Sequence, residues 1–584
     1  MEFHSLVATG WLAYGALALV YLITSYTLVR CFRHPEESDR LATGTSVLGF
    51  WTCLCLATLA ALDVFFVSAV NDNTTGLKHA WATPQVVDAI HSSVLAARYS
   101  LVGLTAMLCS LLVPFAYFFY EENDLETCLS DRIKNALKYT LFIVTMAMVL
   151  FSTGFVLQVQ KNMPDNSDWY QHLLANATIQ RAVLFALGLM LALGMAVYLL
   201  YTSIGLSLLP LHVTQPHRRS VVPFNTHRLE RDLEINRQMQ RTISVRYESL
   251  RVPISTRDKM LLEELENQAR ALQQQLHASR PKGTRLGRCA SAVWRPLRVL
   301  TGGMLVIVSW VVVLSVALTS VDRIKNSVCG SNCGYYFDQA IMLNPVAYAF
   351  QQLAAVFPAD IGALLGLIGF LVVCTMTAVV YRGIGLLGLV RFYTISPAIT
   401  APQGLLFFAT LSMLAVLGLD YTLAVQIAPQ YMTFGSQMFC NHTEGHVRTC
   451  RDHPEEIMFC HAGAPRGLCT ATTLSTLVNS VAVNYPIFGT TFFHAQWLFM
   501  ALYIIGFTVF VFKACHGSLR ITADSDRTDA ELAEDDELAA ETARGILSSR
   551  SAQARTASMY SRGSAPSPRS VSGADPHERR PLLL

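Results

Sequence analysis

The chain has 584 residues, of which 52% are hydrophobic and only 15% are charged, and its mean hydropathy is +0.38. Soluble domains carry about 25% charged residues, so this composition excludes a string of soluble domains, a coiled coil, a disordered scaffold and a small disulfide-rich secreted module. The formal net charge of +3 is too small to indicate nucleic-acid binding. The sequence therefore predicts an all-α polytopic membrane protein.

A membrane-spanning helix needs about 20 mostly apolar residues, because the hydrocarbon core is about 30 Å thick. The windows that meet this requirement predict nine spans, in chain order Leu6–Val29, Ser46–Val70, Tyr99–Tyr120, Tyr139–Val159, Val183–Leu209, Val299–Val321, Ile361–Tyr381, Gly404–Ala428 and His494–Phe512. Most of the 44 Lys and Arg residues follow odd-numbered spans. Basic connections favour the cytosolic side, so the N-terminus is predicted to be lumenal or extracellular and the C-terminus cytosolic.

These spans divide the chain into four parts. Residues 1–210 hold the first five spans, 211–298 form a basic helical loop in the cytosol, 299–512 hold the last four spans, and 513–584 form a disordered cytosolic tail. Within the loop, leucines from Leu262 to Leu276 follow heptad spacing after a capping-box start at Ser255. Two interpretations stay open: a helical hairpin that folds back on the protein, or a docking site for a protein partner. The basic excess also suits anionic membrane lipid.

Sequons and cysteines cluster on the predicted lumenal side. Sequons occur at Asn73, Asn176 and Asn441, which are candidate glycosylation sites. Six lumenal cysteines are candidates for disulfides, namely Cys329, Cys333, Cys440, Cys450, Cys460 and Cys469. The local pairs Cys329–Cys333 and Cys460–Cys469 are hypotheses among 15 ways of pairing six cysteines. The last four lie in a Cys-rich loop over 429–493, and no metal site is expected because the spacing differs from that of zinc sites.

Two acidic residues fall inside predicted spans, Asp63 in the second and Asp420 in the eighth. An ionised Asp near the centre of a spanning helix costs about 3 kcal/mol on insertion scales, so such residues face the interior of the bundle and often have a functional role. Arg98 is expected at the lumenal mouth of the third span, where it can pair with one of them. The group is interpreted either as a structural ion pair or as part of a permeation or proton-linked path.

The segment 344–360 is apolar but interrupted, with Asn344-Pro345 at its start and Pro358 and Asp360 at its end. It is too short to span, so it is predicted to be a re-entrant or interfacial segment on the lumenal side. Interrupted helices of this kind line transport sites in some transporters and act as simple lids in other proteins. Both interpretations stay open.

The sequence contains no P-loop, H-E-x-x-H, G-x-S-x-G or dinucleotide-binding fingerprint, so an enzyme is not expected. The last residues of the tail instead match an acidic dileucine sorting signal, formed by Glu578 with Leu582 and Leu583. An exposed tail can present two leucines to an apolar pocket of a clathrin adaptor. Tyr247 and Leu250 fit the looser tyrosine-based signal, which is a weaker pattern. These signals predict a lysosomal membrane location, with endosomal or plasma-membrane pools.

Several strings resemble the limb-region-1-like membrane protein family, nearest to its lysosomal cobalamin transport branch. They are Pro114-Phe-Ala-Tyr-Phe-Phe-Tyr-Glu-Glu122, Ile133-Lys-Asn-Ala-Leu-Lys-Tyr-Thr-Leu141, Asn344-Pro345, Phe357-Pro-Ala-Asp360 and Ala428-Pro-Gln-Tyr-Met-Thr-Phe-Gly-Ser-Gln437. The resemblance runs from about Leu12 to Cys515. It implies nine spans, a lumenal N-terminus and lumenal glycans, in agreement with the topology argued from charge.

The resemblance also implies a function. It points to export of cobalamin from the lysosome, either as a transporter or as an escort or scaffold for a lysosomal ABC-type transporter, together with a cytosolic cobalamin-processing protein. No tightly bound cofactor is expected, and cobalamin is the candidate transported ligand. The alternative is a receptor for a lipocalin-type ligand, with the loop from Cys440 to Cys469 as its ligand face, or an endocytic scaffold that binds clathrin adaptors.

Overall fold

The structure is a computed structural model. It describes residues 2–33, 39–122, 129–156, 178–214, 285–327, 330–335, 342–356, 360–386 and 390–516, the last with gaps of one or two residues, and scattered residues between 233 and 269. All elements below belong to the unit Met1–Ile521; a second unit, Thr522–Leu584, lies outside the described residues. So do several predicted site residues, namely Asn176, Tyr247, Leu250, Cys329, Pro358, Glu578, Leu582 and Leu583.

The described chain is mainly helical. Its α-helices are α1 (Glu2–Phe32), α2 (Arg40–Ser68), α3 (Pro84–Met107), α4 (Val113–Glu121), α5 (Leu129–Val156), α6 (Thr178–Val197), α7 (Ser203–Thr214), α8 (Arg285–Asn326), α9 (Pro345–Val356), α10 (Asp360–Arg382), α11 (Pro402–Thr422), α12 (Pro429–Phe434), α13 (Thr473–Asn484) and α14 (Pro486–Cys515). Three π-helical turns continue α3, α6 and α11, at Leu108–Leu112, Tyr198–Thr202 and Leu423–Ile427. Such turns are rare and are frequent at functional sites.

Short antiparallel strand pairs lie in the connections. They are β1 (Asn71–Asp72) with β2 (Leu77–Lys78), β3 (Ile384–Leu386) with β4 (Val390–Tyr393), β5 (Met438–Cys440) with β8 (Ile457–Phe459), and β6 (Thr443–Glu444) with β7 (Val447–Arg448). Each pair is too small to hold a core of its own. The pairs therefore order loops at the ends of the helical bundle.

Within the described ranges, nine helical segments are long and apolar enough to cross a membrane, and each overlaps one predicted span. The prediction of an all-α protein with nine spans is confirmed. Which side of the membrane each terminus faces stays a prediction. Most boundaries differ by several residues: the third segment begins at Pro84 rather than Tyr99, the fourth at Leu129 rather than Tyr139 and the ninth at Pro486 rather than His494. The sixth segment continues to Asn326. Hydropathy windows end at polar residues, whereas the helices continue past them.

The centre of the bundle is formed by α2 and α11, which pack on each other. Helix α2 also contacts α1 and α3, and α11 also contacts α6. Both central helices are buried along most of their length, whereas α1 and α5 lie at the periphery. The peripheral helices keep large apolar side chains exposed, such as Leu19 and Phe142. This is the pattern expected where lipid replaces water around the protein.

Two helix crossings depend on glycine. Gly194 of α6 meets Gly418 of α11, and a Cβ on Gly194 would lie 2.4 Å from the Leu414 carbonyl oxygen. At the crossing of α7 with α10, a Cβ on Gly205 would lie 1.9 Å from the Cys374 carbonyl oxygen. Small residues let helix backbones approach closely in membranes, where apolar side chains gain little by leaving lipid. These contacts fix how α6 and α7 lie against the rest of the bundle.

Candidate functional site

Three charged side chains meet in the interior of the bundle. Arg98 of α3 lies between Asp63 of α2 and Asp420 of α11: its two terminal nitrogens are 3.5 Å from Asp63 Oδ2 and 3.6 Å from Asp420 Oδ2. The exposed fractions of the three residues are 2%, 2% and 3%. We call this group the charged triad. Two carboxylates and one guanidinium leave a formal charge of −1 inside the protein.

Arg98 is buried between helices, and its position at the lumenal mouth of the membrane stays a prediction. Helix α3 begins 14 residues before Arg98, at Pro84, so the candidate spanning segment contains it. An arginine lowers the mean hydropathy of any window that contains it, so the window began after it. Its burial is tolerated because two carboxylates face it, whereas an unpaired buried charge is very costly.

Asp63 is also bonded to the first turn of α13. Its carboxylate accepts hydrogen bonds from the Thr473 backbone N–H at 3.2 Å, the Thr473 hydroxyl at 2.6 Å and the Leu474 N–H at 2.9 Å. The next N–H, from Ser475, is capped by the Thr472 hydroxyl. The first N–H groups of a helix lack partners within the helix and carry partial positive charge. Helix α13 therefore offsets much of the excess negative charge of the triad.

Asp420 is held much less firmly. Its Oδ1 has no hydrogen-bond partner among the described residues, and neither does Nε of Arg98. One carboxylate of the triad is therefore satisfied on both oxygens, while the other makes a single contact of 3.6 Å. A buried carboxylate with a free oxygen can accept a proton, bind water or exchange its partner. Of the two predicted intramembrane acids, Asp420 is the one with that capacity.

A second buried polar group lies on α8, near the end of α11. Arg323 donates to the Val425 carbonyl at 3.0 Å, on the π-helical turn, and to the Tyr335 carbonyl at 3.4 Å. Asp322 accepts from Asn326 at 2.5 Å and from the Met342 N–H at 3.4 Å. This group was not predicted, because both charges fall just outside the predicted sixth span.

The predicted re-entrant segment contains a short helix, α9. Asn344 caps it: its Oδ1 accepts from the Ala347 N–H at 2.9 Å and from the Ser315 hydroxyl at 3.1 Å. Pro345 occupies the first helical position, which suits proline. At the end of the segment, Asp360 starts α10 and accepts from the Tyr431 hydroxyl at 2.8 Å. The segment is thus tied to α8 and α12, while its depth in the membrane stays a prediction.

The Cys-rich loop forms a stapled cap on one end of the bundle. Cys460 pairs with Cys469, as the local spacing predicted, and Cys440 pairs with Cys450. The Cys440 N–H donates to the Gly76 carbonyl at 3.0 Å, which joins the cap to the loop between α2 and α3. Cys333 ends a short 3₁₀ turn.

Both described sequons lie at this end. Asn73 belongs to the loop between α2 and α3, Asn441 follows β5, and both are exposed. In the part of the chain that the structure describes, no group of three or more His, Cys, Asp or Glu side chains is arranged to hold a metal ion.

Comparisons with known proteins place the chain in a family. A family described as "LMBR1-like membrane protein" matches residues 10–291. The chain belongs to this family of membrane proteins. No solved structure matches the chain.

Its relatives extend the similarity over almost the whole chain. A protein of Sclerotinia sclerotiorum is 32% identical over 561 residues, which cover 91% of this chain and 92% of the relative. One of Aspergillus terreus is 33% identical, with coverage of 88% and 91%, and one of Neurospora crassa is 31% identical, with coverage of 91% and 92%. All three carry the name "Probable lysosomal cobalamin transporter". The family predicted from sequence motifs is therefore confirmed.

Proposed function

We propose that this protein is a lysosomal membrane protein that supports the export of cobalamin from the lysosome to the cytosol. The observation that carries the proposal is the similarity to relatives named probable lysosomal cobalamin transporters, at 31–33% identity over about nine-tenths of both chains. The helical bundle and its buried charges fit a membrane transport function better than a catalytic one. No residue is assigned to contact cobalamin.

Two forms of this function differ physically. A transporter carries cobalamin through its own bundle, whereas an escort stabilises and delivers an ABC-type transporter that does so. Close packing favours the escort form: α6 and α11 touch at Gly194 and Gly418, and the cavity between Thr375 and Ser412 has room for about one water molecule. Cobalamin is a large polar molecule, and the centre of the bundle is filled by side chains in this conformation. We therefore propose the escort form.

Partners and delivery belong to the same proposal. An ABC-type transporter in the lysosomal membrane and a cytosolic cobalamin-processing protein would act with this chain. A clathrin adaptor that recognises Glu578, Leu582 and Leu583 would bring it to the lysosome through endosomes or the plasma membrane. The predicted cytosolic loop 211–298 supplies the surface with which a cytosolic partner would interact.

The first test is the distribution of cobalamin between lysosomal and cytosolic fractions in cells that lack this protein. We expect lysosomal accumulation that wild type corrects and that Leu582→Ala/Leu583→Ala does not correct. A normal distribution in the deficient cells would overturn the proposal. Correction by a chain that fails to reach lysosomes would overturn the sorting part alone.

A second test separates the two forms. The purified protein is reconstituted in liposomes loaded with cobalamin, alone and together with the ABC-type transporter. The escort form predicts release only when the partner is present. Release by this chain alone, abolished by Asp420→Asn but not by the conservative control Thr377→Ser on the same bundle, would establish the transporter form instead.

A further inference from the structure

A group of uncharged polar side chains lies in the interior near the end of α11. Thr422 and Gln426 come from α11 and its π-helical turn, Gln496 from α14, and Tyr198 from the π-helical turn after α6. All four are fully buried, with exposed fractions of 0%. We call these four residues the inner polar cluster. None of them is part of the charged triad.

Side-chain contacts bring the cluster together. The Gln496 amide nitrogen lies 3.5 Å from the Thr422 hydroxyl and 3.6 Å from the sulfur of Met195. Tyr198 is one turn after Met195 on the same helix, and its ring stacks on Phe499 at 4.8 Å. Residues three or four apart share a helix face, so Phe499 lies beside Gln496 and Gln426 lies beside Thr422.

Two atoms of the cluster have no hydrogen-bond partner among the described residues. They are Gln496 Oε1 and Gln426 Nε2. Reversing the Gln496 amide would place its oxygen at Thr422 but would leave its N–H groups unbonded. Neither orientation satisfies both ends of the side chain.

Buried polar atoms are almost always hydrogen-bonded, to protein or to ordered water. A glutamine in an apolar bundle core also has an obvious replacement, since leucine or methionine would fill the space without unpaired atoms. Here an acceptor and a donor occur together: Gln496 Oε1 accepts, and Gln426 Nε2 donates. Water can bond to both kinds of group, whereas a metal ion or an anion would be repelled by one of them.

We infer that the inner polar cluster is an internal water-binding site in the membrane bundle. Thr422, Gln426, Gln496 and Tyr198 hold the ordered water, near the contact of Arg323 with the Val425 carbonyl. The water supplies the hydrogen bonds that the protein leaves unmade. This inference does not depend on the identity of the exported molecule.

X-ray hydroxyl-radical footprinting of the full-length protein in lipid nanodiscs tests the inference, because radicals form from water bound beside a side chain. Met195 and Tyr198 are the probes. Met413 and Phe408 are matched controls of the same kind, equally buried but packed against apolar neighbours. We expect Met195 to be oxidised at least ten times faster than Met413. Equal protection of the two methionines would overturn the inference.

The direction of a change in thermal stability tests the inference independently. In a dry core, Gln496→Met removes unpaired polar atoms, so it raises the midpoint of thermal unfolding. In a hydrated site the same change removes a ligand of the water and leaves Gln426 unsatisfied, so it lowers the midpoint and reduces the oxidation of Met195. A rise in the midpoint would overturn the inference. If the variant fails to fold, the wild-type footprint decides alone.

Discussion

Removing the Asp63 side chain should loosen both the bundle and its cap. Asp63→Ala deletes three hydrogen bonds to the first turn of α13 and leaves Arg98 with Asp420 alone. A lost helix cap costs about 1 kcal/mol. Removing one partner of a buried ion pair costs about 3–5 kcal/mol, and the lower end applies because Arg98 keeps a second carboxylate. The expected loss of unfolding free energy is about 4 kcal/mol.

Two variants separate these contributions. Asp63→Asn keeps the shape and one acceptor oxygen toward Thr473 and Leu474 but removes the charge that faces Arg98, so it should cost about 3 kcal/mol. Asp420→Ala removes one long contact and an unpaired oxygen, so it should cost about 1–2 kcal/mol. We expect Asp63→Ala to be the most destabilising variant, followed by Asp63→Asn and then Asp420→Ala.

Buried thiols provide the assay. Cys53 and Cys374 are free and buried, whereas Cys31 and Cys515 are free and exposed. After exposed thiols are capped, a thiol-reactive dye reports unfolding in a denaturant titration of the detergent-solubilised protein. The reasoning would be refuted if Asp63→Ala were no more destabilising than Asp420→Ala, or if Asp63→Asn cost as much as Asp63→Ala.

Three further predictions concern other parts of the structure. Asn73→Gln and Asn441→Gln should each remove one glycan and so increase the mobility of the protein on a denaturing gel by one step. Unchanged mobility of both variants relative to wild type would contradict a lumenal position of the cap. Gly205→Ala should abolish the folded protein in size-exclusion chromatography, because its Cβ would meet a carbonyl oxygen at 1.9 Å, while the control Gly366→Ala, which meets open space, should leave the elution profile unchanged. The Thr74 N–H and hydroxyl lower the pKa of Asp72. The stability that ionised Asp72 contributes is therefore present above pH 4 and is lost as the pH falls through the lowered pKa. The thermal midpoint of Asp72→Asn should lie below that of wild type by the same amount at pH 7 and at pH 5, and the difference should disappear in stronger acid.

The nine spans could be predicted because each is long and apolar, and lipid permits few other structures. The family could be predicted because several strings occur in one order. Asp63 and Asp420 stood out for the same reason, as charges within apolar windows. The local pair Cys460–Cys469 followed from spacing alone.

Other features of the site depend on contacts that spacing does not reveal. The predicted third span began after Arg98, because a hydropathy average treats a buried, paired arginine as a boundary. Gln426 and Gln496 are single polar residues in apolar runs, and nothing local distinguishes a buried amide from one at a helix edge. The bond from Asp63 to Thr473 joins residues 410 positions apart. Only the packed bundle shows that this acid caps a helix.

That separation bears on how the protein is made. A ribosome delivers α2 to the membrane long before α11 and α13 exist, and at that stage Arg98, 35 residues away, is the nearby partner for Asp63. The other contacts of the triad form only when the last third of the chain has been inserted. A nascent or truncated chain therefore carries incompletely neutralised charge in its spans, which makes it a substrate for membrane chaperones and degradation. Variants of Asp420 or Thr473 should accordingly shorten the lifetime of newly synthesised chains in the endoplasmic reticulum.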